Sequence, residues 1–389
     1  MDNATAFQAL GRRLRLGVVG GGPASFIGAM HRAAAQLDNR FQIDAGVLSS
    51  DPDRSRAAAA ALNIPRPYGS VAEMIAAERA RPDGIDAVAI MTPNDRHHGE
   101  CVAALDAGLD IICDKPITNT LDDAHDLARR VRRGGHVFCL THAYSAYPMI
   151  RQARAMVAAG AIGPVRAVQV EYLQAGMAAA VESLPMTPKL AWKLDAARSG
   201  PSLVLGDIGT HAHHLACHVT GLGVERLAAD LGALQPGRQV DDYGAFLLRL
   251  QGGVRGTLLA SQALAGTEND LNLRVFGADG HLEWTHRDHS HLRHARTGRP
   301  VQVLARGDAD LLPPAARLTR MSRGHPEGLL EAFANLYRDA AEAIAARLTG
   351  HAADPMAEFP DAADGAAGIA FVAAAVRSAQ ASGAWVDVG

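Results

Sequence analysis

Cysteine is scarce in this chain. Its 389 residues include four, at positions 101, 113, 139 and 217, none in a C-x-x-C pair, and Cys113 and Cys139 fall inside apolar runs. That is the pattern of buried free thiols in a reducing compartment and excludes a disulfide frame. Long hydrophobic stretches are missing as well. Nowhere do about 18 apolar residues run uninterrupted, and MDNATAFQALGRRLRL has no apolar core ahead of a small-residue cleavage site. A cytoplasmic protein with no membrane partner is expected. Charge of one sign is lacking too: 38 basic residues face 41 acidic ones, a formal net charge of -3, so no global field draws the chain onto nucleic acid. The 39 glycines and 19 prolines follow no period, and hydrophobic residues make up 48%, which excludes collagen-like, disordered and coiled-coil classes. At roughly 150 residues per domain, the length points to two domains, and the balanced charge makes a small molecule the expected partner.

The chain changes character near residue 145. Up to that point, short apolar runs (LRLGVV, FQIDAGVL, DAVAIM, DIIC, HVFCL) alternate with Ala-rich helical segments at 55–62, 71–81, 100–107 and 121–133, the signature of βαβ units on a doubly wound parallel sheet. Beyond it, a helix over 148–159 leads into half-buried strands that alternate apolar and polar residues: VRAVQVEYL, AFLLRL, VRGTLLASQ and LNLRVFG. Turns at 251–253 and 278–280 join hairpins. The polar stretch 287–325 reads as a long loop, followed by helices over 327–348 and 363–381 and a closing strand over 384–388. The expected division is 1–145 for a dinucleotide-binding domain and 146–389 for an α/β domain with an open, mostly antiparallel sheet.

The strand LRLGVV runs into Gly20-Gly21-Gly22-Pro23-Ala24-Ser25-Phe26-Ile27-Gly28. A side chain here would hold a pyrophosphate off the backbone N–H groups at the helix N-terminus, so the chemistry calls for glycine. Gly20 and Gly22 fit the first two positions of G-x-G-x-x-G; the third is displaced to Gly28. Ser25, Phe26 and Ile27 open the helix and complete the expected cradle. At the end of the second strand, Ser49 and Ser50 tolerate a ribose 2′-phosphate, whereas Asp51 suits a free 2′-hydroxyl. NAD and NADP both remain open, with NAD preferred.

Other candidates also fall at the carboxyl ends of strands, where such sheets bind ligands: Thr92, Pro93, Asn94 and His97, then Asp114, Lys115 and Pro116, and a third segment, Thr141-His142-Ala143-Tyr144. Farther on lies Gly206-Asp207-Ile208-Gly209-Thr210-His211. As an α-helix this places Asp207 and His211 at i and i+4 on one face, and a histidine, with an unperturbed pKa of roughly 6.5, can take a hydroxyl proton. His214 and His218 continue that stripe, so zinc is a rival reading; but one helix rarely supplies a coordination sphere, and no metal is expected. His213, His214 and His218 read as surface or interdomain hydrogen-bonding residues. Tyr172 and Gln174, on one side of a strand, together with Trp192, Lys193 and His325, are the candidates for substrate recognition. No arginine cluster clamps a phosphate or carboxylate, which favours a neutral polyol.

Taken together, the glycine turn, the Thr-Pro-Asn-x-x-His segment, Asp114-Lys115-Pro116 and the Asp-x-Gly-x-His helix, in that order, resemble the Gfo/Idh/MocA family of nicotinamide-dependent oxidoreductases over essentially the whole chain. The family's usual Glu-Lys-Pro appears here as Asp114-Lys115-Pro116, one methylene shorter. The resemblance implies a Rossmann domain followed by an α/β domain, and a sugar, sugar derivative or cyclitol as substrate. It also puts the family's catalytic aspartate and histidine at Asp207 and His211. The expected mechanism has His211 as general base, Lys115 stabilising oxyanion character and Asp207 orienting His211 or a neighbouring hydroxyl. An oxidoreductive glycosidase that regenerates its NAD is the alternative; a non-catalytic nucleotide sensor and a zinc hydrolase rank lower. A homo-oligomer, dimer or tetramer, is expected from an exposed sheet face.

Overall fold

The computed structural model describes residues 5–185 and 188–389. They form two compact units, each discontinuous in sequence: one takes residues through Thr118, Asp122–Ala143 and Leu329–Ala366, the other Asn119–Leu121, Tyr144–Gly328 and Ala367–Gly389.

The first unit is built on six parallel strands: β1 (Leu14–Gly20), β2 (Phe41–Val47), β3 (Arg66–Pro67), β4 (Ala87–Met91), β5 (Asp110–Cys113) and β6 (Phe138–Leu140), in the order β3-β2-β1-β4-β5-β6. Its central strands are largely apolar because both faces are covered: Leu16 and Val18 on β1, Val88 to Ile90 on β4 and Ile111 and Ile112 on β5 are all buried. The order reverses between β1 and β4, the switch point outside which such sheets bind ligands. Helices Phe26–Leu37, Pro52–Ala61, Val71–Arg79, Asn94–Asp106 and Leu121–Gly134 connect the strands. Ser25, Asp51 and Ser70 cap three of them by accepting from the amide three residues on.

A division at residue 145 would leave the helix Leu329–Thr349 in the second domain, yet it packs on the helix Phe26–Leu37 of the first unit. Its apolar stripe, which includes Phe333, Leu336, Tyr337 and Ile344, is buried there. Arg347 reaches Asp110 at 2.9 Å. An amphipathic helix carries no mark of which sheet it will cover, so this return of the chain is invisible in periodicity.

The second unit is a nine-stranded sheet: β7 (Val165–Leu173), β8 (Val224–Gly232), β9 (Tyr243–Leu250), β10 (Arg255–Ser261), β11 (Asp270–Gly277), β12 (Gly280–Thr285), β13 (His291–Arg296), β14 (Gln302–Ala305) and β15 (Val386–Asp387), in the order β14-β13-β12-β11-β7-β10-β9-β8-β15. Every pairing is antiparallel except β7 with β10, which is parallel. Val168, Val170 and Tyr172 alternate inward on β7, and the helices Pro148–Ala158 and Thr210–Thr220 belong to the same unit.

The stretch 287–325 is not the expected loop: it holds β13, β14 and the short helix Pro313–Ala316. On β13 the outward Arg293 is exposed while Leu292 and His294 are buried, so histidine at an inward position hides the alternation. The helix Ala362–Gln380 is long and apolar enough to span a membrane by composition, and 61% of its most apolar stretch is buried inside the protein.

Candidate active site

In the first unit the chain leaves β1 through Gly20 and Gly21, with φ of 80° and 65°, a left-handed conformation that glycine adopts without steric cost. A Cβ at Gly20 would lie 2.8 Å from the Met91 carbonyl oxygen, and one at Gly28 would overlap the backbone of Gly21. Gly28, displaced by three residues in the sequence, therefore does the work of the third glycine, letting the helix approach the strand. The N–H groups and positive dipole end of the helix Phe26–Leu37 open onto this turn. The cradle is one that Cβ atoms would fill, and it suits a pyrophosphate. Ser25 spends its hydroxyl on the cap, accepting from the Gly28 amide at 3.1 Å, and Phe26 is largely exposed. Ser49 Oγ accepts from the Asp51 amide, and Asp51 Oδ1 caps the following helix at Arg54, 2.8 Å away.

The loops after β4 and β5 are tied together. His97 is fully buried; its Nε2 lies 2.9 Å from the Thr92 carbonyl oxygen and its Nδ1 2.8 Å from that of Pro116. Expected on cofactor, His97 instead bridges the Thr92-Pro93-Asn94 turn and Lys115-Pro116, because each ring nitrogen faces a backbone carbonyl oxygen. Asp114 is likewise committed: its Oδ1 accepts from the Lys115 amide at 2.9 Å and from Thr141 Oγ1 at 3.0 Å. Burial alone would raise its carboxyl, but the facing His31 and then the Lys115 charge bring it down to about 2.

Only three of the 38 basic residues are lysines, at 115, 189 and 193. Lys115 and Lys193 therefore put a compact ammonium where the chain elsewhere uses a guanidinium. The sequence carries this signal for both Lys115 and Lys193.

In the second unit a polar cluster gathers at one edge of the sheet. Because β7 and β10 run parallel, with Leu173 opposite Ser261, Gln174 and Gln262 leave the sheet at the same edge. β11 begins there too, with Asp270 opposite Leu173, which brings in Asn269. Gln174 Nε2 donates to Asn269 Oδ1 at 2.7 Å, and Gln262 Nε2 donates to Gln174 Oε1 at 3.2 Å and to Asp207 Oδ2 at 2.8 Å. Lys193 also pairs with Asp207 Oδ2. The Tyr144 and Tyr172 hydroxyls meet at 2.6 Å; burial pushes both phenols up, so they remain protonated donors. His211, mostly buried, lies edge-on to Tyr144 with ring centroids 4.9 Å apart.

Asp207 sits in a π-helical turn, Leu205–Gly209, and His211 in the first turn of the helix Thr210–Thr220, rather than on one continuous α-helix. Single π turns often occur at functional sites. Asp241 supports this turn, accepting from the Val204 amide at 2.7 Å and Ser202 Oγ at 3.1 Å.

Tyr172, Gln174, Lys193, Asp207 and His211 are thus brought together by contacts within this unit. Trp192 is half-buried on the short helix Pro188–Leu194. His325 is exposed, its ring 3.1 Å from Ser322 Oγ, and its carbonyl accepts from Arg306; it is held in its own turn and is not among the residues gathered around Tyr172. His213 and His214 are buried rather than on the surface: His213 stacks on Phe371 at 4.6 Å, and the His214 and His218 rings lie 5.5 Å apart. Burial pushes His213 down to about 4 and His214 to about 3. Among the described residues no group of three His, Cys, Asp or Glu side chains could hold a metal ion. Sequence reasoning puts Tyr144 in a strand-end segment without giving it a partner, and it misses Gln262 and Asn269 because it does not foresee the parallel β7–β10 pair; an all-antiparallel arrangement would put Gln174 and Gln262 at opposite edges.

Residues 14–142 match the oxidoreductase family with an NAD-binding Rossmann fold, and residues 150–283 match the GFO/IDH/MocA C-terminal domain. The chain belongs to this oxidoreductase family. A relative, the uncharacterized oxidoreductase YfiI of Bacillus subtilis, is 32% identical over 98% of both chains. A crystal structure of an oxidoreductase from Sinorhizobium meliloti is 43% identical, with a TM-score of 0.87 over 96% of this chain and 99% of that one. An inositol dehydrogenase homolog from Azotobacter vinelandii, complexed with NADH and myo-inositol, is 34% identical, with a TM-score of 0.89 over 100% of both chains. This Gfo/Idh/MocA member is therefore an enzyme of the NAD-binding oxidoreductases.

Proposed function

We propose that this oxidoreductase transfers a hydride between a neutral polyol, of the cyclitol or sugar class, and NAD. The observation that carries the substrate class is the Gln174, Gln262, Asn269, Tyr172 and Tyr144 network. Carboxamides and phenols offer paired donors and acceptors for hydroxyl groups, and among the described residues no guanidinium is hydrogen-bonded to these side chains. The relative solved with NADH and myo-inositol supports the same class.

Gly20, Gly21, Gly22 and the amides that open the helix at Phe26 would hold the pyrophosphate. Asp51 disfavours a 2′-phosphate by repulsion and accepts from a 2′-hydroxyl, which supports NAD over NADP. A bound nicotinamide would supply the acceptor for the hydride of the carbinol carbon. Lys115 stabilises the alkoxide character that develops on the hydroxyl oxygen. An imidazole nitrogen of His211 accepts the hydroxyl proton, so alcohol yields carbonyl, hydride and proton in balance. Asp207, held by Lys193 and Gln262, keeps its charge fixed on the substrate side of the π turn.

The test is a panel of cyclitols and sugars, myo-inositol first, with NAD and NADP, followed by absorbance at about 340 nm, a property of the reduced nicotinamide. Net NADH accumulation with a polyol is expected. Binding of NAD without reduction by any polyol, or turnover of a glycoside without net NADH, would overturn the reading.

A further inference from the structure

The glycine turn and Lys115 lie on different strands, yet one buried side chain stands between the elements that carry them. His31 belongs to the helix that opens at the cradle and is 1% exposed. Its Nδ1 lies 2.8 Å from the Tyr337 hydroxyl, and its ring is edge-on to Phe333 at 5.2 Å and to Tyr337 at 5.8 Å. Those contacts fix the ring plane, and they leave Nε2 buried without a hydrogen-bond partner, 3.9 Å from Asp114 Oδ1. A buried ring nitrogen is costly to leave unpaired unless a charge compensates it. With Nδ1 accepting from the Tyr337 hydroxyl, Nε2 carries the ring proton and faces the Asp114 carboxylate, whose same oxygen holds the Lys115 amide and the Thr141 hydroxyl.

The length of the Asp114 side chain decides what it holds. A glutamate in its place, longer by one carbon–carbon bond of about 1.5 Å, would close the 3.9 Å gap to His31 at the expense of its grip on the Lys115 amide. With aspartate the carboxylate stays on the backbone of the lysine, and His31 attracts it across the gap.

We propose that His31 is a positioning residue for Lys115, acting through Asp114 and coupling the dinucleotide-binding helix to the strand-end loop that carries the lysine. The functional weight of this inference rests on the role proposed for Lys115; the coupling itself does not. His97 secures the same loop from the other side at the Pro116 carbonyl, so Lys115 sits between two histidine-anchored neighbours.

Two substitutions divide the ring of His31. His31→Gln keeps an amide near the place of Nε2, facing Asp114; His31→Asn keeps one near Nδ1, facing Tyr337. For each, kcat with a polyol, the NAD dissociation constant, and the rate of trinitrobenzenesulfonate labelling of Lys115 relative to Lys193 are measured, the last by peptide mass spectrometry on a chain with only three lysines. His31→Asn is expected to lower kcat at least tenfold with NAD affinity within twofold, and to change the Lys115 to Lys193 labelling ratio at least threefold, while His31→Gln restores both toward wild type. Equal effects of the two substitutions, or an unchanged labelling ratio, would overturn the proposal. If the wild type binds NAD but oxidises no polyol, the functional reading is what fails, and the labelling ratio still decides the role of His31. Should both His31 variants fail to fold, Asp114→Asn removes the facing charge and keeps an acceptor for the Lys115 amide. It is expected to reproduce the His31→Asn labelling ratio, and a wild-type ratio there counts equally against the coupling.

Discussion

The two units build their candidate sites in opposite ways. In the first, backbone does most of the binding: three glycines make room, a helix end supplies N–H groups, and His97 and Asp114 spend their side chains on holding loops. In the second, side chains do it: amides, phenols, a lysine and an aspartate from five separated segments meet at one sheet edge. A backbone site serves a cofactor with a fixed skeleton, whereas a side-chain site can be retuned for different hydroxyl patterns by single substitutions. The first should therefore fail sterically and the second chemically.

The largest effect tests whether each unit contributes a reacting group. Lys115→Met and His211→Asn should each lower kcat by about 10³ with NAD affinity within a few-fold, in the range seen for lost oxyanion stabilisation or general base. Stopped-flow turnover and NAD titration measure this, and loss of NAD binding in either variant would contradict the division of labour.

The second unit also carries the groups whose protonation should set stability. His213 is neutral when folded, lowered by burial to about 4. Its contribution is complete above the unfolded value near 6.5 and is lost as pH falls from there through about 4, roughly 3 kcal/mol over that window. Asp241 works in the opposite sense. Burial outweighs its hydrogen bonds from Val204 and Ser202 and raises its carboxyl to about 6, so stability falls as pH rises from about 4 to 6. Thermal melts across pH 4–7 should show a shallower acid limb in His213→Phe and a gain above pH 6 in Asp241→Asn.

Gly28→Ala is the steric probe of the first unit. Its Cβ would overlap the Gly21 backbone, at a cost of about 1–3 kcal/mol, and NAD affinity should fall by about 100-fold. A calorimetric NAD titration unchanged by this substitution would show that the helix need not approach the strand so closely. Gln262→Leu is the matching probe of the second: kcat/KM for the polyol should drop by about tenfold as Asp207 loses a donor, with NAD affinity unaffected. The smallest expected change is Asp51→Ala, which should improve the NADP to NAD ratio of kcat/KM by a few-fold, since only one repulsion is relieved.

How much of this is legible in sequence follows the same divide. Five of the six strands and the glycine turn of the first unit show in local runs because a parallel sheet buried on both faces needs continuous apolar residues, and its ligand loops sit at strand ends; β3, only Arg66–Pro67, leaves no such run. Sequence puts His97 on the correct loop and gives it the wrong partner, since spacing places a side chain on a turn without telling whether its nitrogens face ligand or carbonyl. Lys193, a substrate-recognition candidate by sequence, is the ion-pair partner of Asp207. Gln262 and Asn269 lie 88 and 95 residues from Gln174, and nothing short of the β7–β10 pairing reveals them.

The chain alone determined the doubly wound sheet and the dinucleotide turn, because each is written in contiguous spacing and in residue types with one plausible chemistry. Only the tertiary structure decided that Leu329–Thr349 returns to the first unit, that β7 and β10 run parallel, and that His31 faces Asp114 across a buried gap. Those are pairings between distant segments, and a linear pattern of polarity records which face is buried but not what it is buried against.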